Sequence, residues 1–213
     1  MPAICRLSAA LAVGIFSAGV AVAEPSTIGA VDKVQARVEA TQAGQTRALA
    51  VASDLYFRDR CRSREGARLQ ATLKDGTQLT LGENAALVID EFVYDPHTSR
   101  GELSVKIAKG AFLYVGGLIE GEPGGKVRIR TPVAAIGVRG TTVWGGPIGK
   151  GFGVVVLSGV VTVTGRNGTV TLRQGQGTML FGDGRPRRAA PWPADRMRRA
   201  IASITFTKPP SAR

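Results

Sequence analysis

Apolar and polar residues alternate with a period of two over Arg68 to Leu73, Thr77 to Leu81, Glu102 to Ile107, Gly153 to Leu157, Val160 to Thr164 and Thr169 to Leu172. Turn residues separate these runs at intervals of about 8 to 12 positions, the spacing of short strands rather than of helices. In Val127 to Arg130 the same alternation puts Val127 and Ile129 on one face and Arg128 and Arg130 on the other. Thr131-Pro132 then ends the run, because proline offers no N–H to a ladder. Gly137, Val138, Arg139, Gly140, Thr141 and Thr142 form a second, glycine-punctuated element, in which glycine permits backbone angles or close approaches that a side chain forbids. The pattern predicts an all-β meander, a roll or sandwich of short, mostly antiparallel strands. A β-solenoid is the alternative, although no strict repeat period is present. Asp75-Gly76 and Asn167-Gly168 read as hairpins with type I′ turns, whose two central residues need positive φ. Asp95-Pro96 and Gly121 to Gly125 read as mobile loops. After Pro191-Trp192-Pro193, Ala194 to Ser203 predicts a short helix with Met197, Ile201 and Ile204 on one stripe, packed weakly on the strands or capping them.

The N-terminus departs from this pattern. Arg6 precedes an uncharged, mostly apolar run from Leu7 to Val22, and Ala21-Val22-Ala23 forms an A-x-A site, which predicts a secretory signal over residues 1–23 cleaved after Ala23. An uncleaved anchor is the minority alternative, since the run is a little short of the roughly 20 residues that span a bilayer. Residues 24–184 then read as one β-domain, with no Pro- or Ser-rich linker to divide them, and residues 185–213 as a basic tail with the short helix. The expected location is periplasmic or secreted. Cys5 leaves with the signal, so Cys61 has no partner within the chain, and it is either buried as a small hydrophobe or open to a partner, burial being favoured.

Charge sharpens two places. Arg58, Arg60, Arg62 and Arg64 share one face of a predicted strand, with Phe57, Asp59, Cys61 and Ser63 on the other. Such a row is either a solvated edge strand defended against aggregation or a contact surface for an acidic protein, phospholipid headgroup or anionic polysaccharide, the edge strand being favoured. The formal net charge is +12, and from Arg185 onward eight Lys/Arg, Arg185, Arg187 and Arg188 among them, face only Asp195. That tail suits an anionic membrane or polyanion. It lacks the aromatic interleaving of a nucleic-acid binder, so nucleic acid is not an expected partner. Arg139, flanked by a glycine, either braces backbone carbonyls internally or projects to a partner.

Catalytic groups are scarce. His97 is the only histidine, and His97 with Cys61 lacks a third orienting group at a recognisable spacing. Asp90, Glu91 and Asp95 read as a solvated strand end and an Asp-Pro turn rather than a carboxylate pair or a calcium site. Neither a phosphate loop nor a dinucleotide fingerprint is present, GVRGTT being neither. No enzyme activity, cofactor or metal is expected.

Four segments, KDGTQLTLG, IDEFVYDP, KGAFLYVGG and TPVAAIGVRGTT, occur in an order that resembles the FecR-like domain family of bacterial cell-envelope proteins, over about Ala30 to Phe181. The resemblance implies a periplasmic, all-β domain used in protein–protein signal relay, as in regulators that pass a ferric-siderophore signal to a sigma factor. It marks Asp75, Gly76, Thr131, Pro132, Gly137, Arg139, Gly140 and Thr141 as fold-defining positions. The best-known members carry a cytoplasmic anti-sigma segment and a transmembrane helix ahead of this domain, where this sequence shows only the short signal. Direct sigma-factor control is therefore not expected. Two functions remain, an exported interaction domain relaying or scaffolding envelope signals and a structural or adhesion module held by its basic surfaces.

Overall fold

A computed structural model describes residues 26–121 and 125–207. The expected signal over residues 1–23, the middle of the Gly121 to Gly125 loop and the last six residues lie outside the described residues. One sheet dominates, and it forks. Its branch point is the hairpin of two long strands, β12 (Ala134–Ile148) and β13 (Gly151–Gly165). The first half of β12 pairs with β11 (Lys126–Arg130), and its second half pairs on the same side with β10 (Phe112–Val115).

From β11 one wing runs through β9 (Gly101–Lys109), β8 (Ala86–Tyr94), β5 (Arg60–Ser63) and β2 (Val38–Gln42) to β3 (Gln45–Ala48). From β10 the other runs through β7 (Gln78–Leu81), β6 (Arg68–Leu73) and β1 (Thr27–Gln35) to β4 (Asp54–Tyr56). β13 adds β14 (Gly168–Arg173) and β15 (Gln176–Leu180), with β16 (Ala190–Pro191) beside β15. This is the all-β fold expected, but not a meander. β11 and β9 are parallel, and the motif-bearing strand holds both wings.

The sheet curls until its wings share a core. Val38, Cys61, Leu87 and Val105 from one wing pack in the same cluster as Ile28, Leu55, Leu69 and Leu79 from the other, closed by Val161, Leu172 and Leu180. A fully buried Val or Leu contributes roughly 1.5–3 kcal/mol, so this cluster is the main stabilising element. Alternation along β12 and β13 serves two cores at once. Val143, Val154 and Val156 face the large cluster, while Trp144 and Val155 face a small one on the opposite side. That small cluster is closed by α1 (Ala194–Ile204) through Ala200 and Ile204. The expected helix is present, but Ala200 takes the buried place assigned to Ile201, which is only half-buried.

The two hairpin turns differ from expectation. Gly76 has φ of 83° while Asp75 stays at negative φ, and Leu73 N–H and Gly76 N–H bond to Thr77 and Leu73 carbonyls. This is a type I turn closed by a left-handed glycine, not a type I′ pair. Gly165 faces Gly168 across a two-residue loop of Arg166 and Asn167, neither at positive φ. Asn167 instead donates its side-chain amide to the Asp183 carbonyl at 2.9 Å. That contact secures the loop without the strain of a left-handed Asn.

Candidate interaction surface

Most of the motif positions converge where the sheet forks. Between Val138, the last β12 residue paired with β11, and Thr142, the first paired with β10, the backbone has no neighbouring strand on that side. Register slips there against β13 too, and Gly140 takes φ of 59° in a bulge. Gly159 opposite has φ of 83°, and a Cβ on it would lie 2.3 Å from the Gly140 carbonyl, so only glycine fits. A short 3₁₀ turn, Leu118–Gly121, fills the gap. Glu120 Oε2 accepts from Thr141 N–H at 2.8 Å, and the Thr141 carbonyl accepts from Gly116 N–H at 2.9 Å.

The KDGT turn locks this arrangement from the other side. Asp75 is fully buried, its carboxylate accepting from Thr77 N–H and Thr77 Oγ1, while its carbonyl accepts from Leu118 N–H at 2.8 Å. Gly117 lies so close that a Cβ would meet Thr77 N at 2.4 Å. Burial raises the Glu120 pKa above the ordinary carboxylate value, opposed by the Tyr114 hydroxyl and by the Thr141 and Gly140 amides. Burial also raises Tyr114, with the nearby Glu120 charge adding to it. Tyr114 Oη, Glu120 Oε1 and Thr141 Oγ1 are buried without a partner of hydrogen-bond geometry among the described residues. Thr131 stands apart, where β11 turns into β12. Its hydroxyl accepts from Ala134 N–H and donates to the Ala134 carbonyl, and Pro132 is exposed beside it. Gly137 is exposed on the outer face of β12.

The arginine row lies on an interior strand, not on an edge. β5 sits between β2 and β8, with Asp59, Cys61 and Ser63 buried and Arg58, Arg60, Arg62 and Arg64 exposed. The alternation is as expected, but the edge assignment fails because residues far along the chain supply strands on both sides. Cys61 belongs to the core, and burial pushes its thiol up to about 12, Asp59 adding to this and Arg47 opposing it. Asp59 is itself buried and accepts from Arg47 Nη1 at 2.8 Å and Tyr56 N–H at 2.8 Å. Arg64 pairs with Glu39 at 2.7 Å, and the Arg58 guanidinium lies 5.1 Å from the Phe57 ring centre.

Arg60 and Arg62 make no hydrogen bond or ion pair among the described residues, and the neighbouring strands extend their row. Arg60 faces Val88, Val88 faces Lys106 and Lys106 faces Arg130, a cross-strand line from β5 to β11. At about 4.8 Å per strand step the line spans roughly 14 Å. Arg62, Ala86 and Lys109 form a second line beside it. Two shallow clefts flank Lys106. One, about 210 Å³, has Arg60, Arg62 and Lys109 around Ala86, Val88 and Ala108, and the other, about 440 Å³, runs to Arg130, Thr131 and Pro132. Arg130 pairs with Asp90 and Lys126 with Glu102, whereas Lys106, Lys109, Arg128 and Arg139 have no ion pair among the described residues. Arg139 is exposed, projecting from the outer side of the fork.

The tail arginines divide. Arg187 pairs with Asp183 at 3.0 Å, while Arg185 and Arg188 are exposed. The chain around them is docked. Thr178 Oγ1 donates to the Arg187 carbonyl at 2.6 Å, and the Trp192 ring packs 5.7 Å from that of Trp144. His97 is exposed in the Asp95 turn, where Asp95 accepts from His97 N–H and Thr98 Oγ1. Those two contacts hold the Asp95 carboxyl below its ordinary range, the Thr98 bond most. Among the described residues no group of three or more His, Cys, Asp or Glu side chains is placed to hold a metal. No described helix is long and apolar enough to cross a membrane.

Lys106 and Lys109 went unnoticed in the sequence, although their strand was identified. The signal was the period-2 position of Lys106 in a run whose other face is Val105 and Ile107. Glu120 left no local signal, since its partner lies 21 residues further along.

Comparison with known proteins fits this geometry. The family model described as FecR protein matches residues 59–162, from the buried Asp59 to the second half of β13, with the whole fork inside it. Two crystal structures of a candidate anti-sigma factor from Parabacteroides distasonis ATCC 8503 share the fold. Both have a TM-score of 0.54 and 18% identity, over 65% of this chain and 62% of theirs. The match thus spans less than two thirds of the length of those chains. No curated protein matches. Residues 59–162, built around the forked β12 strand, match the FecR protein family.

Proposed function

We propose that this chain is an exported, non-catalytic interaction domain that relays or scaffolds signals in the cell envelope by binding an acidic partner protein. The outer face of β5, β8, β9 and β11 is the binding surface. The observation that carries the reading is the basic line from Arg60 through Lys106 to Arg130, in which Arg130 alone is paired, to Asp90, laid over two clefts on a FecR domain. Arginine forks bind carboxylates in two-point fashion, and the alanine and valine floor leaves the cations accessible. Likeness to a candidate anti-sigma factor supports a regulatory role over a structural one.

The test is affinity capture of the full chain, cross-linked in native envelopes at physiological salt. The wild type is compared with Arg60→Gln/Arg62→Gln/Lys106→Gln and, separately, Arg185→Gln/Arg188→Gln. These sites are exposed, so folding is retained. The expected result is one envelope protein retained by wild type and the tail variant but lost with the sheet-face variant. Loss with the tail variant alone, or recovery of lipid and polysaccharide only, favours the adhesion reading.

A further inference from the structure

The free edge of β14 offers a second contact, different in kind from the basic face. Among the described residues β14 pairs only with β13, and at six residues it is the longest of the strands with a single neighbour, ahead of β3 and β4. In an antiparallel ladder alternate residues turn N–H and C=O away from the partner strand. With Gly165 and Gly168 closing the two-residue loop, the outward residues are Thr169, Thr171 and Arg173, of which Arg173 already donates its N–H to Gln176 Oε1 at 2.9 Å. Edges of this length are normally blunted by proline, by lysine or by an inward charge. Here Gly168 to Leu172 contains none of these.

What lies beside the edge is cationic. A trough of about 370 Å³ separates Gly168, Thr169 and Val170 from Arg185, Arg187 and Arg188. Arg166 and Arg173 stand at the two ends of the strand, and Asp183 is already paired with Arg187. Leu172 is fully buried and Val170 packs on the core, so the strand is held firmly from beneath while its edge stays open.

We infer that the β14 edge accepts an extended acidic segment of a partner protein as an added strand, its backbone pairing with Thr169 and Thr171 and its acidic side chains meeting Arg185 and Arg188. Strand addition supplies affinity through main-chain bonds and specificity through alternate side chains. Carboxylates at alternate positions recur about every 6.8 Å along such a strand, which keeps several within reach of the flanking arginines. The inference rests on the reading of the chain as a binding domain but not on which surface serves the basic-face partner.

The test is amide hydrogen exchange on the full chain with a short synthetic peptide alternating Glu and Val, and with its Lys and Val counterpart. The acidic peptide is expected to slow exchange at Thr169 and Thr171 by about tenfold or more, and the basic one to leave it unchanged. Thr171→Pro removes an outward N–H without touching the β13 ladder and should abolish the protection, while Arg185→Gln/Arg188→Gln should weaken it. Unchanged melting of Thr171→Pro establishes that the fold survives. No slowing by the acidic peptide, equal slowing by both peptides, or slowing that survives Thr171→Pro overturns the inference. So does protection that appears without peptide and grows with protein concentration, which assigns the edge to a second copy. Failure here with capture by the basic face intact removes this inference alone.

Discussion

Glu120 is the residue on which the forked sheet turns, because it supplies the acceptor that a missing strand leaves absent at Thr141. Replacing it with alanine strands a buried N–H and is expected to cost about 1–3 kcal/mol, read as a lower melting temperature. Glu120→Gln keeps an acceptor and removes the titration. Because burial raises the folded pKa, the native state holds its proton more tightly than the unfolded chain does. The stability from this group is fully present below the unfolded value of about 4.3 and is lost as pH rises through the higher folded value. Wild type should therefore show a melting temperature that falls across that window from this group, and Glu120→Gln a flatter profile. The two sequence distances involved differ in legibility. Gly140 and Thr141 stood out because glycines punctuate a regular alternation, and the structure gives their reason in the bulge. Glu120 did not, because nothing in LIEG marks a carboxylate aimed at a distant amide.

At the scale of elements, which face each strand buries was legible and which strands pair was not. Alternation identified Arg60 and Arg62 as outward and Cys61 as inward from nearest neighbours alone. Whether β5 was an edge depended on β2 and β8, whose approach is decided by how the whole sheet buries its inner face. The turns misled for a related reason. Asp-Gly and Asn-Gly tolerate left-handed geometry, but a longer loop after Leu73 confines it to Gly76, and the Asn167 contact to Asp183 secures the other turn with neither central residue left-handed. The C-terminal helix had a readable amphipathic stripe, yet its anchor is tertiary. Trp192 lies over Gly177, where a Cβ would come 2.3 Å from the indole nitrogen, and over Gly153. Gly177→Ala should lift Trp192 out of its slot at a cost of about 1–3 kcal/mol. A red shift in tryptophan emission checks this, with fully buried Trp144 as the unmoved second fluorophore.

For the molecule as a whole, the net charge of +12 takes on meaning through its placement. A curled sheet has an inner face that must be apolar and an outer face free to carry cations, and here those from β5, β9 and β11 line up over shallow clefts. Such a field speeds encounter with an acidic protein and weakens as salt rises, whereas the clefts confer the fit. Composition showed the excess of charge but not the line it forms, which exists only once Arg60, Lys106 and Arg130 are brought side by side. The most direct measurement is a lysine-acetylation footprint of the full chain in native envelopes, read by mass spectrometry. Lys106 and Lys109 should lose reactivity while Lys74 and Lys150, exposed elsewhere, keep theirs. Equal reactivity at all four lysines, or protection reproduced by protein-free vesicles of envelope lipid, would contradict an acidic protein partner on the basic face.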